Sequence, residues 1–245
     1  MNILLVNDDG ILAPGIRLLA ETLKDFGTLK IVAPFTQQSG IGHGITIHEP
    51  IRLRTHKDFL PGIEAWSLEA KPADCVKFAL YALDLPIDLV VSGINDGPNL
   101  GTDISYSGTM AGASEGIICG VPAISVSTDF GSWDLPRREL KPLLKKILAS
   151  ELLSSEYVIN LNFPRKAFAQ TKGIKVTDMG LRPYLHRFEE EAASPGVFWA
   201  KGDWDEAVNT PSSDVWAYEN GYVSVTPIQI NRTAFGSLPL FQKIF

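Results

Sequence analysis

Two adjacent carboxylates, Asp8 and Asp9, follow directly on a short apolar run, Ile3–Val6. Like charges side by side just past a buried strand repel, and burial disfavours both unless something positive lies between them. A hard divalent cation meets that need, because Mg²⁺ and Mn²⁺ favour carboxylate, carbonyl, hydroxyl and water oxygens. Two more polar turns offer such oxygens: Gln37-Gln38-Ser39-Gly40 and Ser92-Gly93-Ile94-Asn95-Asp96-Gly97. With the Ser39 hydroxyl and the Asn95 carbonyl, Asp8 and Asp9 make a mixed oxygen set for one Mg²⁺ or Mn²⁺ ion. The plainer alternative is an Asp-Asp-Gly turn that only caps the next helix; three loops of this character favour the metal.

A second constellation is Tyr106-Ser107-Gly108-Thr109, ahead of a segment of helical character. Unpaired N–H groups and the positive end of the dipole make a helix start an anion site. Ser107 and Thr109 add hydroxyls, and Gly108 allows an anion close to the backbone; Gly40 offers the same on the second turn. An ordinary Ser/Thr cap is the competing explanation. Next to a metal the group reads as a phosphate cradle. The cation would polarise a phosphoryl oxygen and acidify a water, the loop donors would stabilise charge on the equatorial oxygens, and Asp8 or Asp9 would take the water's proton. The residues alone do not choose between the two carboxylates. His43 and Asn99 are candidate substrate contacts, and His43 is also a candidate proton donor to the leaving oxygen.

Other patterns carry less. Gly112-Ala113-Ser114-Glu115-Gly116 has the spacing of a nucleophile elbow, which requires a sharp strand-to-helix turn; Ser114 falls inside a helical run, so close packing explains the small residues better. Gly40-Ile41-Gly42-His43-Gly44 is not a dinucleotide fingerprint, and no G-x-x-x-x-G-K-[ST] occurs. His48, His56 and His186 have no ligand spacing, and Asp74 suits the start of a helix.

These residues need elements to position them. Ile3–Val6, Leu29–Ala33, Ile87–Val91 and Pro122–Val126 read as buried strands. Between them, Pro14 opens a helix with apolar positions at Ile16, Leu19, Ala20 and Leu23, closed by Gly27. Pro72 opens another, and Thr109–Cys119 makes a third. The spacing predicts partly exposed strands at Ile45–Ile47, Ile51–Leu53 and Ile63–Leu68, and later ones at Tyr157–Leu161, Ile174–Thr177 and Tyr222–Ile230. Lys141–Ala149 reads as a helix with Pro142 in its first turn. Alternating β and α implies an α/β fold, a parallel sheet between helices, in which ligands bind outside the carboxyl ends of the strands. The whole chain reads as one domain, with a core over about residues 1–130. Residues 178–215 read as a hairpin or arm bearing Tyr184, Phe188, Phe198, Trp199 and Trp204, a surface for a partner subunit or a cover over the domain.

The net charge of −6, without a Lys/Arg run beyond Arg137-Arg138 and Lys145-Lys146, argues against gripping polymeric nucleic acid. No stretch approaches the roughly 20 apolar residues of a membrane span, and no signal-like n-region precedes Ile3. Cys75 and Cys119 sit among apolar residues without ligand spacing, as buried small hydrophobes would. A cytoplasmic protein is expected.

The chain also resembles the SurE (survival protein E) nucleotidases. The resemblance rests on Asn2–Gly10 followed by Ala13-Pro14-Gly15-Ile16, on Val32-Ala33-Pro34 and Ser39-Gly40, on Pro72–Val76, and on Asp88–Asn95 with Gly97, Asn99, Leu100 and Gly101. It is densest at Tyr106–Thr109, Glu115-Gly116 and Gly120–Ser127, and returns at Gly221–Pro227. It implies a Rossmann-like core, a metal-dependent 5′- or 3′-nucleotidase, Asp8, Asp9, Ser39 and Asn95 as metal ligands, and Ser107, Gly108 and Thr109 as the phosphate loop. It further implies a homodimer or homotetramer with exchanged C-terminal arms, and in many members a broad phosphatase or polyphosphatase activity. Where the family often reads A-P-D-R-x-x-S-G-x-x-N, this chain has Phe35 and Thr36 after Pro34, and His43 at the Asn. Without that Arg the crevice attracts highly charged substrates less. Two other classes compete. A binding module without turnover has no need of both carboxylates, and an aspartyl-phosphate phosphatase needs D-x-D, which Asp8-Asp9-Gly10 lacks.

Overall fold

The computed structural model of the chain describes residues 1–204 and 209–245, and the side chains of all of these except 184–186 and 202–204. Tyr184, His186 and Trp204 therefore lie outside the described side chains, and the stretch 205–208 of the expected arm lies outside the described residues.

In chain order the elements are β1 (Asn2–Val6), α1 (Pro14–Leu23), β2 (Thr28–Pro34), β3 (Leu53–Thr55), β4 (Glu64–Leu68), α2 (Pro72–Tyr81), β5 (Leu89–Asp96) and α3 (Gly108–Ile118). There follow β6 (Ala123–Thr128), α4 (Asp134–Leu148), β7 (Val158–Asn162), β8 (Ile174–Val176), β9 (Tyr184–Glu190), β10 (Phe198–Trp204), α5 (Asp214–Glu219), β11 (Val223–Ile228) and α6 (Leu238–Phe241). Nine strands form one sheet in the order β3-β4-β2-β1-β5-β6-β7-β11-β8, while β9 and β10 pair with each other.

Alternation along β1 explains the layering. Ile3 and Leu5 point into a core shared with Ile16 and Leu19 of α1 and Leu140 and Leu144 of α4. Leu4 and Val6 point the other way, onto Val76 and Ala79 of α2 and Met110 and Ala113 of α3. A strand covered on both faces has to be apolar throughout, which is what the run Ile3–Val6 provides. From β1 the sheet grows in both directions, since β1 pairs in parallel with β2 on one side and β5 on the other. That reversal opens a crevice at the carboxyl ends of β1 and β5. The small residues of α3 serve close packing, as expected: a Cβ on Gly112 would come within 3.0 Å of Val6 Cγ1, and one on Gly116 within 3.0 Å of Val90 Cγ2.

The sheet is mixed rather than wholly parallel, because β3 runs antiparallel to β4 and β11 antiparallel to β7. The expected strand at 45–47 is absent: Thr46 N–H donates to Asp74 at 3.0 and 3.1 Å, and Lys71 Nζ donates to the Ile45 carbonyl at 2.8 Å, so these backbone groups bond to side chains instead. The one expected at Ile51–Leu53 is shifted to Leu53–Thr55, although the Arg52 carbonyl already accepts Glu69 N–H at 3.0 Å. Helix α4 begins at Asp134, not near residue 141, so Pro142 sits inside it on the exposed face; the first-turn proline is Pro136. A lost N–H is tolerated best there, where the freed carbonyl reaches water. Cys75 is buried as expected, but Cys119 is only half-buried, with Sγ 3.8 Å from Glu115 Oε1. No helix among the described residues is long and apolar enough to cross a membrane.

Candidate metal and phosphate site

The loops after β1, β2 and β5 meet at the crevice, and all four expected metal ligands line it: Asp8, Asp9, Ser39 and Asn95. The cavity measures about 730 Å³. The turn after β1 is built by Asn7, whose amide donates to the Gly10 carbonyl at 2.9 Å, and by Ile11 N–H, which donates to the Pro34 carbonyl at 2.9 Å. The second loop is tied to the first where Gln38 N–H donates to the Asp8 carbonyl at 2.7 Å.

Asp8 is enclosed, only 4% exposed, and accepts the Thr109 hydroxyl on Oδ1. Burial raises its carboxyl to about pKa 7; hydrogen bonds from Thr109 pull against this, and the neighbouring Asp9 adds to it. Asp9 is half-buried and is also raised, first by burial and then by the charge of Asp96, against hydrogen bonds from Asp96 N–H and Gln37. Its Oδ2 accepts Asp96 N–H at 3.2 Å and its Oδ1 accepts Gln37 Nε2 at 3.3 Å. The same Gln37 amide donates to Ser39 Oγ at 3.0 Å. Asn95 spends its Nδ2 on the Gly97 carbonyl at 2.7 Å, which leaves its side-chain carbonyl oxygen as the end that could meet a cation.

No cation partners either carboxylate among the described ion pairs, and no Lys or Arg lines the crevice among the described residues. Nor do three His, Cys, Asp or Glu residues gather in metal-holding fashion among the described residues. The donor set is therefore two carboxylates, a hydroxyl and an amide carbonyl. Such a set fits a small, hard divalent ion that keeps part of its water shell.

At the phosphate loop, Ser107 caps α3 by accepting Met110 N–H at 3.1 Å. Gly108 is pressed against the first loop: an added Cβ would stand 2.7 Å from Asp8 Cβ and 3.0 Å from the Gln38 carbonyl oxygen. Of the expected phosphate groups, Gly40 and Ser107 line the crevice. The Thr109 hydroxyl is committed to Asp8, so its part is to hold that carboxylate. Asn99 also lines the crevice, with its Nδ2 donating to Ser127 at 2.9 Å and its carbonyl accepting the amides of Asn160 and Asn162. His43 is elsewhere. Its Nε2 lies 2.7 Å from Glu115 Oε2, and it lines a smaller hollow on the far side of Ser107. Glu115, 2% exposed, is also 3.4 Å from Lys77. Burial raises its carboxyl, but His43 and Lys77 outweigh this and leave it below the usual range.

Sequence reasoning passed over Gln37 and Asp96 as individuals, although both lie in loops it placed at the crevice. It missed Phe130 and Ala200 altogether. Phe130 follows β6, and the same carboxyl-end rule would have found it; Ala200 belongs to β10, whose position nothing in the local sequence reveals.

Fold and crevice together define a doubly wound α/β protein with an acidic, metal-fitting site at the point where its strand order reverses. Comparison with known proteins narrows this. The family described as Survival protein SurE matches residues 3–186, and the chain belongs to it. The chain is 42% identical to the 5′-nucleotidase SurE of Alkaliphilus metalliredigens, covering 100% of this chain and 97% of that protein. It is 39% identical to the 5′-nucleotidase SurE of Trichormus variabilis, covering 95% of this chain and 94% of the relative. The crystal structure of the SurE protein from Aquifex aeolicus superposes with a TM-score of 0.82 at 36% identity, covering 100% of this chain and 99% of that one.

Proposed function

We propose that the chain is a divalent-metal-dependent phosphomonoesterase that hydrolyses nucleoside 5′-monophosphates, with the 3′-monophosphates as the alternative position, to nucleoside and phosphate. The observation that carries this reading is a pair of raised carboxylates without a cationic partner among the described residues, set against the start of a helix in a crevice large enough for a small-molecule ester. The relatives' naming as 5′-nucleotidases supports it.

Asp8, Asp9, Ser39 and Asn95 would hold one Mg²⁺ or Mn²⁺ ion. When bound, such an ion supplies Lewis-acid polarisation of a phosphoryl oxygen and a water of lowered pKa. The chain's own residues do the rest. Thr109 fixes Asp8, so the enclosed carboxylate keeps one orientation. Asp9, half-buried and facing the cavity, takes the proton of the attacking water. The Ser107 hydroxyl and the backbone N–H groups at the start of α3 face the phosphoryl oxygens and stabilise charge that grows on them. Proximity of these groups on loops of one rigid sheet supplies the orientation that displacement by water requires.

The reading extends to assembly. Phe188, Val197, Phe198 and Trp199 are exposed on the β9–β10 hairpin, and a two-stranded hairpin is marginal alone, so a second copy of the chain is the natural cover and a homodimer or homotetramer follows. Two free cysteines and an acidic chain fit the cytoplasm.

The deciding assay is phosphate release from a panel of nucleoside 5′- and 3′-monophosphates, first with EDTA and then with Mn²⁺ restored. Turnover that returns with the metal is the expected result. Silence across the panel from folded, metal-loaded protein would favour a binding module instead.

A further inference from the structure

Beside its polar groups, which include Asn99 and Asp103 as well as the four expected ligands, the crevice carries the apolar surface of Pro98, Tyr106, Phe130 and Ala200. A phosphoryl group and an ion occupy only part of about 730 Å³. Phe130 is 57% exposed and Tyr106 61% exposed, so both rings are open to the space they line.

Phe130 is mounted rather than merely exposed. Its ring lies against the backbone at Gly97, just past Asn95 and Asp96: a Cβ on Gly97 would come within 2.6 Å of Phe130 Cε1, and the Gly97 φ of +139° favours glycine there. Phe130 N–H donates to Asp129 Oδ1 at 2.9 Å. The same carboxylate accepts the Tyr218 hydroxyl at 2.7 Å and Lys166 N–H at 2.9 Å. On the next residue, Gly131 N–H donates to Asp96 Oδ1 at 2.6 Å. Burial pushes the Asp129 carboxyl up, but these bonds outweigh it and hold it below the usual range, so it stays an anionic anchor. An aromatic ring backed by protein, fixed at its own backbone and open towards a cavity has the form of a stacking surface.

We propose that Phe130 is the specificity-determining residue of this site, stacking the nucleobase of a nucleoside monophosphate whose phosphate lies at the carboxylates, with Tyr106 lining the same cavity. The inference rests on the phosphomonoesterase reading above. No Lys or Arg lines the crevice among the described residues, so the distal part of the substrate is held by contact with flat apolar surface, and a flat aromatic base is the chemistry that matches it.

The test compares kcat/KM for adenosine 5′-monophosphate with that for ribose 5-phosphate, the same ester without a base, in the wild-type protein, Phe130→Ala and Phe130→Trp, all Mn²⁺-loaded. The expected result is a wild-type preference for the nucleotide that falls about ten-fold in Phe130→Ala, chiefly through KM, and returns in Phe130→Trp. An unchanged ratio in Phe130→Ala, or a wild type that turns over both esters equally well, overturns the stacking role while leaving the phosphomonoesterase intact. Turnover of neither ester by the wild type overturns the phosphomonoesterase reading and the stacking role with it.

Discussion

The loops at the carboxyl ends of β1, β2 and β5 and the β9–β10 hairpin both contribute to one crevice, yet they are built on opposite terms. The loops hang from strands with both faces covered, and side-chain hydrogen bonds pin them: Asn7 to Gly10, Asn95 to Gly97, Thr109 to Asp8. The hairpin pairs only with itself and leaves Trp199 59% exposed, while Ala200 touches the crevice. A rigid scaffold under a short loop fixes chemical groups closely; a two-stranded ribbon does so only when something else covers it. On the proposed function, the chemistry belongs to the loops and the hairpin shapes what reaches them.

If this division is right, the largest effect follows from Asp9→Asn. Hydrolysis should fall by about a thousand-fold or more, while the metal-free thermal midpoint stays level or rises because a like-charge neighbour of Asp8 is gone. Steady-state kinetics and calorimetry check the two halves, and turnover close to wild type would break the assignment. Chelation should abolish turnover to a similar degree, with rescue by Mn²⁺ or Mg²⁺ but not by Ca²⁺, whose longer and looser coordination suits a small two-carboxylate site poorly. Equal rescue by Ca²⁺ in a phosphate-release assay would contradict the donor set.

Effects on the hairpin should be of another kind. Trp199→Asp is expected to lower the assembly state in light scattering while kcat/KM changes by only about three-fold or less, because the loops carry the chemistry. Loss of turnover on the scale of Asp9→Asn would erase the distinction between the two regions. The smallest effect concerns pH. Asp8 has its folded pKa raised to about 7 from 3.8, so the stability it contributes is present at low pH and is lost as pH rises through 7. The metal-free thermal midpoint should thus drop by a few degrees between pH 5 and 8, and Asp8→Asn should flatten that slope. A flat wild-type profile would show that Asp8 is solvated more than its burial implies.

The same contrast explains what was legible in the sequence. Strands β1, β2 and β5 announce themselves as short, strongly apolar stretches, unbroken in β1 and interrupted once by Lys30 in β2, and the rule about their carboxyl ends brings Asp8, Asp9, Ser39 and Asn95 together without any side-chain geometry. Residues 45–47 mislead because their apolar alternation is real, yet Asp74 and Lys71 claim backbone groups that a ladder would use. Pro142 misleads because a proline marks a helix start only when no earlier turn is available, and Asp134–Pro136 supplies one. Phe130 and Ala200 are silent for another reason: their role depends on which distant loop they lie against, and that is settled by the whole fold rather than by neighbours in the chain.

The root of the hairpin is fastened with some care. Asp214 accepts Gly101 N–H at 2.9 Å and Gly180 N–H at 2.8 Å, and Arg182 pairs with Asp103 at 2.8 Å beside the crevice. Among the described residues, the tip, 191–197, shows no such ties to the sheet. Across generations of descendants the tip can therefore lengthen, shorten and change its lettering at little expense, while the buckle at its base tolerates almost no drift. A lineage can redraft that margin while the text of the crevice stands.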